Sequence, residues 1–296
     1  MKIGLALGSG SARGIAHLGV LKALEEHKIN VDFIAGASMG AFVGAAYAAG
    51  SPLSRLEEYA VQTTWQFAAK MFIPSFAKGG FVKGEKISDF LYQVIGVNDF
   101  DELKIPLAID TTDLETGDKY SIISGELIPA VRASVAVPTV LTPKIINDRI
   151  LVDGGLGSPI PIQTVRDMGA DFVIAVDVTP KAVVSFRKSK YGFTNTLANG
   201  LKQNVLYRSL IREESIKESP EVLQQQVNIL DVFLQSLKIG HAKLAEYQIL
   251  LEKPDIVISP DTKGFSAHEF HKGQELINNA YNRTKKIISE GRIPGY

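Results

Sequence analysis

The chain has 296 residues, 45% of them hydrophobic, and its 32 Lys+Arg balance 32 Asp+Glu to a formal net charge of zero. That balance argues against wholesale nucleic-acid binding. The absence of cysteine excludes disulfides, thiolate metal sites and a cysteine nucleophile.

Residues 3–8, IGLALG, are a short apolar run closed by glycine, which predicts a buried parallel strand. Residues 14–27 follow with Ile15, Leu18, Leu21 and Leu24 at helical spacing. Residues 31–36, VDFIAG, read as a second strand and 39–50 as a second helix. Strand, helix, strand, helix predicts a parallel sheet with right-handed crossovers. Further strands are expected at 107–113, 149–155, 172–178 and 255–260. Ser219-Pro220 opens a helix as N-cap and first helical residue, and Val227, Leu230, Leu234, Leu237, His241 and Leu244 keep three-four spacing along it. Ser266 to Glu269 forms a capping box that opens a last amphipathic helix. No repeat or linker interrupts the chain. The expectation is one α/β domain over 1–296: a core at about 3–180 plus strand 255–260, a helical insertion at about 181–252, and a C-terminal helix at about 266–291. The first apolar run is too short and glycine-rich for a signal peptide. Residues 35–50 are too short to span a bilayer, so a cytoplasmic protein is expected.

The loop LGSGSARG at 7–14 lies between the first strand and first helix, where backbone amides can hold negative charge. A dinucleotide site would need an acid at the end of strand two, but that strand ends in IAGAS. A nucleotide P-loop would need glycine-lysine-serine or threonine, which is absent. The other use of such amides is to stabilise an oxyanion, and that requires a nucleophile nearby. Gly36-Ala37-Ser38-Met39-Gly40 supplies one, because strand, sharp turn and helix is the mechanical setting of a nucleophile elbow. The same small residues would also serve simply to pack the helix closely.

A serine nucleophile needs a base. None of the five histidines, His17, His27, His241, His268 and His271, falls in a loop after a strand. Asp110, Asp113, Asp153 and Asp177 lie at or near strand ends. Asp153 stands before Gly154-Gly155, a turn that lets a carboxylate approach another loop. Asp177 competes with it, with a capping role as its alternative.

Three ordered pieces, GSGSARG, GASMG and a DGG about 115 residues after Ser38, resemble the patatin-like phospholipase family, specifically its short bacterial members related to neuropathy target esterase. The stretch 129–143, PAVRASVAVPTVLTP, is similar to the family segment leading to the aspartate. The resemblance implies a three-layer fold with a mostly parallel central sheet, flanking helices and helical insertions. It also implies a serine–aspartate dyad of Ser38 and Asp153, without metal or cofactor, acting on a lipid acyl ester through an acyl-enzyme. It places the oxyanion hole in the loop holding Gly10, Ser11 and Arg13, although positions 9 and 11 are serine where the family carries glycine. The competing readings are a Ser–Asp–His α/β-hydrolase and a non-catalytic nucleotide- or acyl-binding module.

Two further segments, 59–84 and 178–212, lack acidic residues and combine Lys or Arg with aromatics. They suggest a lid and rim that dock on an anionic bilayer, placing the protein peripherally at the inner membrane face.

Overall fold

A computed structural model describes residues 1–62, 85–138, 140–179, 229–262, 265 and 272–295. Most of both docking segments, the Ser219-Pro220 helix start, and the 266–269 capping box with His268 and His271 lie outside the described residues. Among the described residues the apolar runs build one sheet of eight strands: β1 (Ile3–Leu7), β2 (Phe33–Ala37), β3 (Leu107–Asp113), β4 (Lys119–Ile122), β5 (Lys144–Ile146), β6 (Arg149–Val152), β7 (Phe172–Val176) and β8 (Ile256–Ile258). The order is β5-β6-β3-β2-β1-β7-β8, with β4 on the other edge of β3. From β3 to β8 the pairs are parallel; β4 and β6 run antiparallel to β3, and β5 antiparallel to β6.

The helices are α1 (Ala16–Glu26), α2 (Met39–Ala48), α3 (Leu53–Gln62), α4 (Glu85–Ile95), α5 (Leu127–Ser134), α6 (Ile162–Asp167), α7 (Ile229–Glu252) and α8 (Gly273–Ser289). Strand alternation sorts them into layers. Ile3, Leu5 and Leu7 face a core shared with α1, α2 and α8. Ala6, Ala35, Ala108 and Ala175 face α6 and Ala245 of α7. A fully buried leucine or isoleucine contributes about 1.5–3 kcal/mol, so the face of large aliphatics supplies most of the cohesion. The alanine face instead lets helices approach the sheet closely.

Four strands stop short of the sequence reading. Gly8, Asp153-Gly154-Gly155, Asp177-Val178 and the residues after Ile258 lie past the strand ends; the Gly8 and Asp177 amides each donate one last bond to the neighbouring strand, at Val176 O and Ile258 O. The first helix likewise starts later than expected, after a 3-10 turn at Ser11–Ile15.

The register of β3 explains how two distant loops meet. Asp110 pairs with Ala37 on one edge and Ser121 on the other. Thr112 pairs with Lys119 and with Val152. Both β2 and β6 therefore lie on the same edge of β3, opposite β4. They run toward each other along it, so the residues that follow Ala37 and Val152 converge end to end. Those residues are Ser38 and Asp153.

Candidate active site

Ser38 sits between β2 and α2 with φ 53° and ψ −119°, a left-handed conformation that costs a non-glycine residue about 1–3 kcal/mol. The surroundings hold it there. Its N–H donates to Ser134 Oγ at 2.8 Å, and that hydroxyl donates to the Asp110 carbonyl at 2.6 Å. The Ser38 carbonyl accepts the Phe42 N–H at 3.1 Å and starts α2. A methyl group on Gly40 would overlap the Leu7 carbonyl, so glycine is what allows β1 and its loop to lie against the elbow. Gly36, in β2, packs against the backbone of Ala41.

Asp153 is fixed as firmly. Its N–H donates to Ala136 O at 3.1 Å. Its carbonyl accepts from Thr112 Oγ1 at 2.8 Å, and that oxygen accepts the Gly157 N–H at 2.9 Å. Gly154 and Gly155 form the 3-10 turn it caps, with the Gly155 N–H donating to Asp153 Oδ1 at 2.8 Å. The remaining oxygen, Oδ2, accepts from Ser38 Oγ at 2.6 Å. Both residues are only 5% exposed. Burial pushes the Asp153 carboxyl up to about 6, against the pull of the Ser38 hydroxyl and the Gly155 N–H. Burial has raised its basicity, and the N-terminus of α2 favours negative charge on Ser38.

The glycine loop runs alongside. The Gly8 and Ser9 amides are used by Val176 O at 3.1 Å and Pro159 O at 2.8 Å, and the Arg13 amide by Gly10 O at 3.2 Å. Among the described residues, the amides of Gly10, Ser11 and Ala12 donate to no protein group. Arg13 does not extend into this row. Its guanidinium is buried and donates through Nη1 to Phe265 O at 3.3 Å, and burial lowers it to about 10 although Asp177 holds it up. Its described contacts tie the loop to residue 265.

The other candidates have separate occupations. His17 is buried and held neutral, its ring lowered to about 4 by burial, and at that protonation Nε2–H donates to the Gly8 carbonyl at 2.7 Å. His27 bonds through Nδ1 to Ala23 O at 2.8 Å. His241 on α7 is lowered to about 4 by burial first and by Arg13 second. Asp110 is buried among the hydroxyls of Ser121 and Thr164, Asp113 pairs with Arg149 at 2.6 Å, and Asp177 caps the Thr179 amide at 2.9 Å. Sequence reasoning passed over Ser134 and Thr112, which position the elbow and the carboxylate. The only signal for Ser134 was its place inside the 129–143 stretch.

The structure thus sets an elbow serine, bonded to a buried carboxylate, beside a row of loop amides on a mixed, mostly parallel α/β sheet. The family model for patatin-like phospholipase matches residues 5–166, and the chain belongs to that family. An uncharacterized NTE family protein of Mycobacterium tuberculosis is 28% identical over 318 residues, covering 93% of this chain and 88% of that one. Lysophospholipase nte1 of Emericella nidulans is 32% identical over 182 residues, 60% of this chain but 12% of that protein. Among solved structures, VipD from Legionella pneumophila aligns with TM-score 0.47 and 13% identity over 98% of this chain and 66% of that one. No helix among the described residues is long and apolar enough to cross a membrane.

Proposed function

We propose that the protein is a lipid acyl hydrolase in which Ser38 is the nucleophile and Asp153 the sole base. The observation that carries this reading is the 2.6 Å bond from Ser38 Oγ to Asp153 Oδ2 inside a buried elbow. As Ser38 Oγ bonds to the substrate carbonyl carbon, its proton passes to Asp153 Oδ2 and the carbonyl electron pair becomes an oxyanion. The amides of Gly10 and Ser11 stabilise that charge. Collapse of the intermediate expels the alcohol, which takes the proton from Asp153 and leaves an acyl group on Ser38. Water then repeats the sequence, giving its proton to Asp153 and releasing the fatty acid. A buried, poorly solvated carboxylate is a better base than a free one.

The pH dependence follows from this role. Asp153 must be ionised to accept the proton, so kcat/KM should rise with pH through about 6 and then level off. A carboxylate ionises with almost no enthalpy change, so the midpoint should stay put between about 10 and about 35 °C. A midpoint that falls on warming would assign the limb to an imidazole and remove Asp153 as base.

The substrate class is tested by fatty-acid release from anionic phospholipid vesicles, lysophospholipid and a short soluble ester. Hydrolysis of the short ester alone would reject a lipid substrate. The basic, aromatic segments are read as docking elements, and Arg187, Lys188 and Lys190 lie in the second of them. Each basic residue near an anionic surface contributes about 1 kcal/mol. Reversing all three charges should cut vesicle partitioning by at least about a hundredfold while sparing the soluble ester. Equal losses on both substrates would reject docking.

A further inference from the structure

The loop Ser158 to Ile160, just after the carboxylate turn, is gripped from two sides. On one side the Pro159 carbonyl accepts the Ser9 N–H at 2.8 Å, fixing the start of the glycine loop. On the other, Gln248 reaches in from α7: its Oε1 accepts the Ile160 N–H at 3.0 Å and its Nε2 donates to Ser158 Oγ at 3.4 Å. The Ser158 N–H in turn donates to Gly154 O at 2.8 Å, closing the loop onto the turn beside Asp153. Ser158 and Ile160 are both buried. The Pro159 carbonyl that sets Ser9 thus stands between two residues held by one side-chain amide from the far layer of the sheet.

Taking the hydrolase reading as its basis, we propose that Gln248 is a positioning residue for the oxyanion loop, acting through Pro159 and Ser9 without touching the substrate. The physical case is directional. Ile160 follows a proline in irregular backbone, and Gln248 supplies the acceptor its buried N–H requires. Without that acceptor the loop shifts to find another, and the Pro159 carbonyl moves with it. The Ser9 amide follows, and the neighbouring Gly10 and Ser11 amides lose their aim. Small misplacements of such donors reduce turnover more than substrate binding.

The test compares Gln248→Met, which keeps length and packing but loses the two bonds to the loop and a third to Glu252 Oε1 at 3.3 Å, with Gln248→Glu, which keeps the acceptor for Ile160. Arg166→Ala is the control, because Arg166 ties the end of α7 through the Lys253 carbonyl at 2.7 Å without contacting Gln248. On a short soluble ester, Gln248→Met should lower kcat about tenfold or more with KM unchanged. It should weaken a trifluoromethyl ketone inhibitor by the same factor, since that ketone forms an oxyanion adduct on the serine. Gln248→Glu should keep at least about half of the wild-type kcat, and Arg166→Ala should stay within about twofold. Should Gln248→Met fail to fold, Gln248→Ala carries the same expectation. Wild-type kcat in the Met variant, loss of kcat with unchanged ketone affinity, or an equal loss in Arg166→Ala would overturn the proposal alone. A wild-type protein that neither hydrolyses the ester nor binds the ketone would overturn the hydrolase reading and the proposal with it.

Discussion

Ser38→Ala and Asp153→Asn are each expected to reduce ester hydrolysis on the order of 10⁴-fold or more, and the double variant should lose little beyond either single one. The reason is that the two residues perform one proton transfer. Without Asp153 the hydroxyl keeps its proton during attack, and without Ser38 the base has nothing to activate for acylation. Both variants should fold. Asp153→Asn should in addition be more stable at pH 8. Its carboxyl has a folded pKa of about 6 against 3.8 for the free group, so the folded state holds the proton more tightly. The associated stability is complete below pH 3.8 and lost as the pH rises through about 6. At pH 8 the buried charge costs roughly 3 kcal/mol, which the amide avoids. The advantage in melting temperature over wild type should shrink as the pH falls to about 4. Scanning calorimetry at the two pH values checks this, and a variant that melts lower than wild type at pH 8 would mean the site does not strain to keep its carboxylate ionised.

Gly10→Val should lower kcat by at least about tenfold, toward the 10² to 10³ that one oxyanion donor typically contributes (on the order of 3–4 kcal/mol), with KM little changed. A side chain at this position has no room. A β-carbon would stand 2.6 Å from Val178 Cγ2 and 3.0 Å from the Val178 carbonyl. Val178 is itself buried after β7, so the loop must move rather than its neighbour. That displaces the Gly10 and Ser11 amides, which are needed only when the carbonyl oxygen becomes charged. Steady-state kinetics on a soluble ester separates the two parameters. Unchanged kcat would place the oxyanion donors elsewhere, and raised KM with normal kcat would make the loop a binding element.

Much of this architecture is written locally. The apolar runs at β1, β2, β3 and β7 are rich in aliphatic residues, so each marks a buried strand, though not where it ends. Ser38 and Asp153 could be singled out because each follows an apolar run and stands within two residues of glycine. What sequence could not show is that β6 runs antiparallel on the same edge of β3 as β2, which is the reason these two residues, 115 positions apart, bond to each other. That fact lives in the register of a long-range pairing. The hairpin of β5 and β6 escaped for a different reason. Lys144–Ile146 is too short to show alternation, and its turn uses Asn147 and Asp148 at φ 50° and 57°, the left-handed pair of a type I′ turn that needs no glycine. Thr112 and Ser134 were missed because a small hydroxyl at the end of a strand or helix looks like any polar boundary residue. His17 was placed correctly on its helix, but its bond to Gly8 crosses from helix to loop and leaves no trace in spacing.

Peptide mapping of the protein after treatment with a fluorophosphonate tests the serine–aspartate pair most directly, because the reagent marks an activated serine without any assumption about the natural substrate. The adduct should sit on Ser38 alone, form far more slowly in Asp153→Asn, and form at the wild-type rate in His27→Asn and His241→Asn. An adduct on another residue, or wild-type labelling in Asp153→Asn together with its loss in a histidine variant, would contradict the pair.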